Sequence, residues 1–213
     1  MGQSADRAVA AARSAVFIFA ACETRARASD TQRERNRRLV SRRFRSTFHQ
    51  KVDGKGRVSI PATFRRVIEL GDPDWKEGLR PNFIIVYGMD YQQRLDCFTL
   101  DGMEEIYERI DLMHPGSEER EEMELIYNSY SLDAQIDDDG RIILPQMLRD
   151  KLDLEPDEKA RFMGRNDHFQ IWKDATFNAA YAEQNVRMKV GRAPQYDPRI
   201  KMPAKPRGAP TES

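Results

Sequence analysis

"FHQKVDGKGRVSIPATFRRVIEL" (Phe48–Leu70) and "AQIDDDGRIILPQMLRDKLDL" (Ala134–Leu154) are one short passage written twice. At a constant offset of 84 residues, Val52 lies over Ile136, Asp53 over Asp137, Gly56 over Gly140, Arg57 over Arg141 and Pro61 over Pro145. The match runs past the proline, with Ile60 over Leu144, Phe64 over Leu148, Arg65 over Arg149 and Leu70 over Leu154. A match of this length marks an internal duplication, and it sets the plan of the chain before any element is assigned.

Each copy begins with a β-like stretch, "RSTFHQKV" or "YSLDAQI", and then meets an Asp/Gly turn. The glycines of "DGKG" and "DDDG" supply the positive φ that a tight reversal needs, and Asp can bond its own turn backbone. The chain returns as "RVSI" or "RIIL" and reaches Pro61 or Pro145. Proline cannot donate to a ladder but fits the first turn of a helix. "PATFRRVIEL" and "PQMLRDKLDL" are therefore predicted as short amphipathic helices, with Phe64, Val67 and Ile68, or Leu148 and Leu152, facing inward. Each repeat is predicted as strand, turn, strand, helix.

A second strand pair follows in both halves, "NFIIVYG" with "RLDCFTL" and "KARFMG" with "HFQIW". Helices are predicted after them, from about Asp101 to Asp111 and from about Asp174 to Arg187, with Asp101 and Asp174 as caps. Cys97 now falls over Phe169, an offset of 72 instead of 84, so the first half carries a longer connection; "GDPDWKEGLRP" has the Gly, Pro and Asp to be that loop. Between the halves, "SEEREEMELIYNSY" (Ser117–Tyr130) predicts an acidic helix with Met123, Ile126 and Tyr127 on one face.

A unit of about 60 residues buries too little apolar surface to stand alone and leaves strand edges open. Two related halves can close those edges against each other. The expected fold is α+β, a pseudo-two-fold small β-barrel flanked by short helices. Expected boundaries are a disordered basic extension over 1–43, a first repeat over 44–116, the acidic connecting helix over 117–130, a second repeat over 131–187 and a flexible tail over 188–213.

The 213 residues carry no net charge, with 35 basic and 35 acidic side chains, yet the charge is unevenly placed. Residues 1–43 hold ten Arg against four acids, 44–70 hold six Lys/Arg against two, and 101–139 hold two Arg against fourteen. Cys22 and Cys97 cannot build a disulfide framework, and no Cys/His cluster has metal spacing, so a reducing, cytoplasmic setting is expected. The apolar run "SAVFIFAAC" (Ser14–Cys22) is too short to span a bilayer. The Arg-rich stretch behind it is open to three readings: an arm that grips nucleic acid, an export signal, or an extension from a start codon placed too early.

"VDGKGRVSIPATFR" and "IDDDGRIILPQMLR" resemble the paired D-x-x-G-R-[apolar]-x-[apolar]-P motifs of the MraZ family, over about Phe44 to Gln184. A single copy would point only to the wider AbrB-like swapped-hairpin class. The resemblance implies two tandem AbrB-like swapped-hairpin repeats. It also implies a transcriptional regulator that binds direct repeats of double-stranded DNA in the promoter of the division and cell-wall gene cluster, as a ring-shaped homo-oligomer at the nucleoid. By that resemblance the DNA-contacting turn is the first, with Lys55 and Arg57, Lys51 before it, and Arg65 or Arg66 on the helix behind. The chemistry agrees in sign, since Lys and Arg on a tight turn reach phosphates and Arg can pair with guanine. Arg57 can equally brace Asp53 as a fold element. The second copy departs from the pattern: "DDDG" sets acids where the first has "DGKG".

Catalytic readings are thin. His49, His114 and His168 lie in unrelated contexts, and no Gly-rich phosphate loop, HExxH or GxSxG is present. No enzyme, cofactor, metal or membrane association is expected. The rival reading is an antitoxin-like interaction protein of the same fold class, with the tail as its partner-binding segment.

Overall fold

The structure, a computed structural model, describes residues 43–189 and 196–203. The basic extension before Arg43 and most of the tail after Met188 lie outside the described residues.

The first copy gives β1 (Thr47–Lys51), β2 (Arg57–Ser59), α1 (Ala62–Leu70), β3 (Asn82–Val86), β4 (Leu95–Thr99) and α2 (Leu100–Asp111). After α3 (Glu118–Glu124) and a π-helical turn (Leu125–Ser129), the second copy gives β5 (Ser131–Gln135), β6 (Arg141–Ile143), α4 (Gln146–Leu152), β7 (Lys159–Gly164), β8 (His168–Lys173) and α5 (Asp174–Lys189). Pro61 and Pro145 stand as N-caps of α1 and α4, where a missing N–H costs nothing.

Six strands form one antiparallel sheet in the order β1-β7-β8-β4-β3-β5, and β2 pairs only with β6. Two expectations are corrected here. The turn after β1 does not close a local hairpin: β1 pairs with β7, β5 pairs with β3, and the two returning strands pair across the repeats. Nor does the sheet close into a barrel, since β1 and β5 remain its edges. The reason lies in Pro61 and Pro145, which end each returning strand after three residues. A three-residue ribbon cannot lace both edges of a six-stranded sheet. The backbone bonds at its two ends, from Ile60 N to Gly140 O at 2.9 Å and from Leu144 N to Gly56 O at 2.8 Å, only lengthen the pairing of one copy with the other.

One core serves both copies. Val52 and Ile136, Val58 and Ile142, Ile60 and Leu144, Phe64 and Leu148, and Ile68 and Leu152 are all buried together, each pair 84 residues apart. Phe64 sits among aromatics, its ring 5.3 Å from Phe44, 5.4 Å from Phe48 and 5.0 Å from Phe169. On the other face of β3 and β4, a smaller cluster of Ile84, Val86, Phe98, Met103 and Ile126 takes in Met123 and Tyr127, the face expected of the acidic helix. Thr99, not Asp101, caps α2, its hydroxyl accepting from Gly102 N at 3.0 Å.

The long connection is an ordered loop. Buried Asp72 accepts from Asp74 N at 3.0 Å through one oxygen and from Asn82 N at 2.8 Å through the other, and Trp75 Nε1 donates to Leu79 O at 2.7 Å. From Ala175 onward the chain forms a separate unit, in which Phe177 and Tyr181 stack at 4.4 Å.

Candidate nucleic-acid interface

Asp53 builds the first turn. Its Oδ1 accepts from the backbone N–H of both Lys55 and Arg57 at 2.9 Å, and Gly56 N donates to Asp53 O at 2.8 Å. Gly56 takes φ +78°, which a side chain would resist. Arg57 then folds back, its Nε donating to Asp53 Oδ2 at 2.8 Å. These bonds, that from the Arg57 N–H foremost, hold the Asp53 carboxyl below the usual carboxylate range.

The second turn copies this frame and changes its tips. Asp137 Oδ1 accepts from Asp139 N at 3.0 Å and Arg141 N at 2.8 Å, and Gly140 takes φ +75°. Arg141, however, turns to Asp139 at 3.5 Å instead of bracing Asp137. The acidic tip is also partly neutralised, because Arg80 from the long loop forks onto Asp138 with bonds of 2.9 and 2.6 Å. That pairing raises Arg80 above, and lowers Asp138 below, their usual pKa ranges.

The helices are exchanged between the turns. Arg149 of α4 lies against Gly56, so that a Cβ there would overlap its guanidinium and sit 2.5 Å from the Leu144 carbonyl. In the same way Arg65 of α1 lies against Gly140, and its Nη1 donates to Gly140 O at 3.4 Å. Of the five basic residues singled out by sequence, Lys51, Lys55 and Arg57 therefore belong to the first turn, while half-buried Arg65 stands at the second. Arg66 is exposed on α1 beside it. Lys51 pairs with Asp157 at 2.9 Å, whereas Lys55 has no ion pair among the described residues.

Sequence reasoning missed two exposed apolar residues of the second copy, one of them paired with the first turn. Ile143 lies opposite Arg57 in the β2–β6 ribbon and is 65% exposed; Met147, in the first turn of α4, is 49% exposed. A signal was present, because their counterparts are the polar Ser59 and Thr63. Among the described residues, no group of three His, Cys, Asp or Glu could hold a metal ion, and no helix is long and apolar enough to cross a membrane.

Residues 132–193 match the family model described as "MraZ protein, putative antitoxin-like". A Ruegeria sp. (strain TM1040) protein named transcriptional regulator MraZ is 42% identical over 159 residues, 75% of this chain and 94% of that protein. Its Ruegeria pomeroyi namesake is 43% identical over 139 residues, 65% of this chain and 82% of that protein, and one from Pelagibacter ubique is 30% identical over 150, 70% and 90%. At that identity across nearly the whole of a relative, and with the Asp-x-x-Gly-Arg turn intact in both copies, the chain belongs to the MraZ family of transcriptional regulators.

Proposed function

We propose that the protein is a sequence-specific DNA-binding regulator whose first turn, Asp53–Arg57, enters the groove. The observation that carries this reading is the stapled turn itself, which holds Lys55 and Arg57 outward on a frame of backbone and carboxylate bonds. The Arg57 side chain, fixed by its bond to Asp53, loses little freedom on binding. The Arg57–Asp53 pair does not compete with the role, since a guanidinium has five N–H donors and Asp53 takes the one on Nε. Bracing and reading are compatible. Lys51 supports the turn from β1, Arg66 adds attraction, and Arg65 holds the opposite turn.

The two ends of the β2–β6 ribbon differ in charge, one turn carrying Lys55 and Arg57 and the other Asp137, Asp138 and Asp139. Such polarity supports head-to-tail packing of copies, which forms a ring when the rotation closes. Several first turns on one rim would then meet direct repeats in the promoter of the division and cell-wall cluster, and weak contacts would sum. A cytoplasmic, nucleoid-associated location goes with this reading.

The test is fluorescence anisotropy with the DNA directly upstream of the coding sequence, carrying one, two or three repeats. Arg57→Ala is expected to cost about 1–3 kcal/mol per contact while the fold is kept. Unchanged affinity in a folded Arg57→Ala variant, or equal affinity for one repeat and three, rejects the reading.

A further inference from the structure

Val58 and Ile142, the central pair of the β2–β6 ribbon, are buried at 1% and 2% exposure, so their neighbours Arg57, Ser59, Arg141 and Ile143 share the outward face. The two ends of that face differ. Ser59 is paired with Arg141 at one end, and Arg57 with Ile143 at the other. Ile143 is thus a large aliphatic side chain left in water beside a guanidinium, and Met147 adds a second one in the first turn of α4. The hydrogen bond from Leu144 N to Gly56 O fixes this part of the second copy against the basic turn of the first.

We propose that Ile143, with Met147, reads thymine methyl groups in the major groove next to the contacts made by Arg57. This rests on the DNA-binding reading above and deepens it by assigning specificity to the second copy. A two-stranded ribbon fits the major groove, where guanine offers two acceptors to Arg and thymine offers its C5-methyl to an apolar side chain. An Arg–Ile pair on one face matches that combination. Packing against another copy of the chain fits less well, since the centres of protein interfaces are depleted of charged groups, whereas the cationic Arg57 stands directly opposite Ile143. DNA satisfies that cation and covers the aliphatic group at once. The second end, with Ser59 and Thr63 in the corresponding places, lacks the apolar element. One chain therefore carries a single reading head built from both copies.

The experiment compares upstream DNA containing thymine with the same fragment made with deoxyuridine, for the wild type and for Ile143→Ser, which installs the residue found at position 59. Wild type is expected to bind the deoxyuridine fragment about fourfold more weakly per methyl contacted, the worth of one buried CH2. Ile143→Ser is expected to show that loss already on thymine DNA and to be indifferent to deoxyuridine. Any general effect of deoxyuridine on the duplex is shared by both proteins and cancels in the comparison. A wild type indifferent to the methyl groups, or an Ile143→Ser variant with full sensitivity to them, overturns the proposal. So does a change in particle mass by light scattering in Ile143→Ser, which would place Ile143 between subunits. Failure of the wild type to bind the thymine fragment, or an inert Arg57→Ala, instead removes the DNA-binding reading itself.

Discussion

Val58 pairs in register with Ile142, its own counterpart 84 residues later. The pseudo-two-fold axis therefore passes through this pair, and Arg57 with Ile143 and Ser59 with Arg141 are its symmetry-related neighbours. Every difference between the two ends of the ribbon is a difference in side chains on one shared backbone frame. Each change can therefore be tested against its own counterpart in the same molecule.

The two turn glycines make the first such comparison. Both take positive φ, where a side chain costs on the order of 1–2 kcal/mol. At Gly140 the added Cβ meets the end of the flexible Arg65 side chain, which can swing away; at Gly56 it also meets the Leu144 carbonyl at 2.5 Å. Gly56→Ala is expected to destabilise the protein more than Gly140→Ala, by at least about 1 kcal/mol. Urea denaturation of the two variants measures the gap, and equal midpoints would contradict it.

Much of this frame was legible in the repeat. Asp53 and Asp137, Gly56 and Gly140, and Pro61 and Pro145 each do the same job twice, because turns and caps are decided by local chemistry. Which strand pairs with which was not legible. β1 bonds to β7 across 108 positions, from Lys51 to Lys159, and no local rule sets a pairing at that separation. The exchange of helices followed from the same gap: Arg65 follows Arg57 closely in the chain but stands at the other turn.

Phe64 and Leu148 are related positions that do unequal work. Phe64 is wholly buried and packs against Phe44, Phe48 and Phe169, so Phe64→Ala is expected to cost about 3–5 kcal/mol. Leu148→Ala, with a smaller side chain to lose, is expected to cost about 2–4 kcal/mol. Thermal unfolding followed by circular dichroism ranks the two, and a Phe64→Ala variant no weaker than Leu148→Ala would contradict the aromatic hub.

Acidification should act in two stages of opposite sign. Burial raises the Glu69 carboxyl above its usual 4.5, so its contribution is present below that value and is lost as pH rises through the folded pKa. Asp53 and Asp138 are held below their usual 3.8, so their contribution is present above that value and is lost as pH falls through the folded pKa. Stability is expected to rise slightly on approaching pH 4.5 from neutral and then to fall below 3.8. Glu69→Gln should abolish the rise and keep the fall. A urea midpoint that drops steadily from neutral pH in the wild type would show the Glu69 argument to be wrong.

Arg57 and Arg65, both assigned to DNA by resemblance, should separate by salt dependence. A side chain that neutralises a phosphate releases counterions, and its removal lowers the slope of log affinity against log salt by about one. Lys55→Ala is expected to do this with little effect on stability, because Lys55 is exposed and makes no ion pair among the described residues. Arg57→Ala should lower affinity as well as slope, and should loosen the turn through the lost bond to Asp53. Arg65→Ala should leave the slope unchanged and lower the melting temperature, because its guanidinium packs on the opposite turn and bonds Gly140 O. A slope reduced by Arg65→Ala as much as by Lys55→Ala would put the second turn against DNA too. The division of the two copies between reading and bracing would then be wrong.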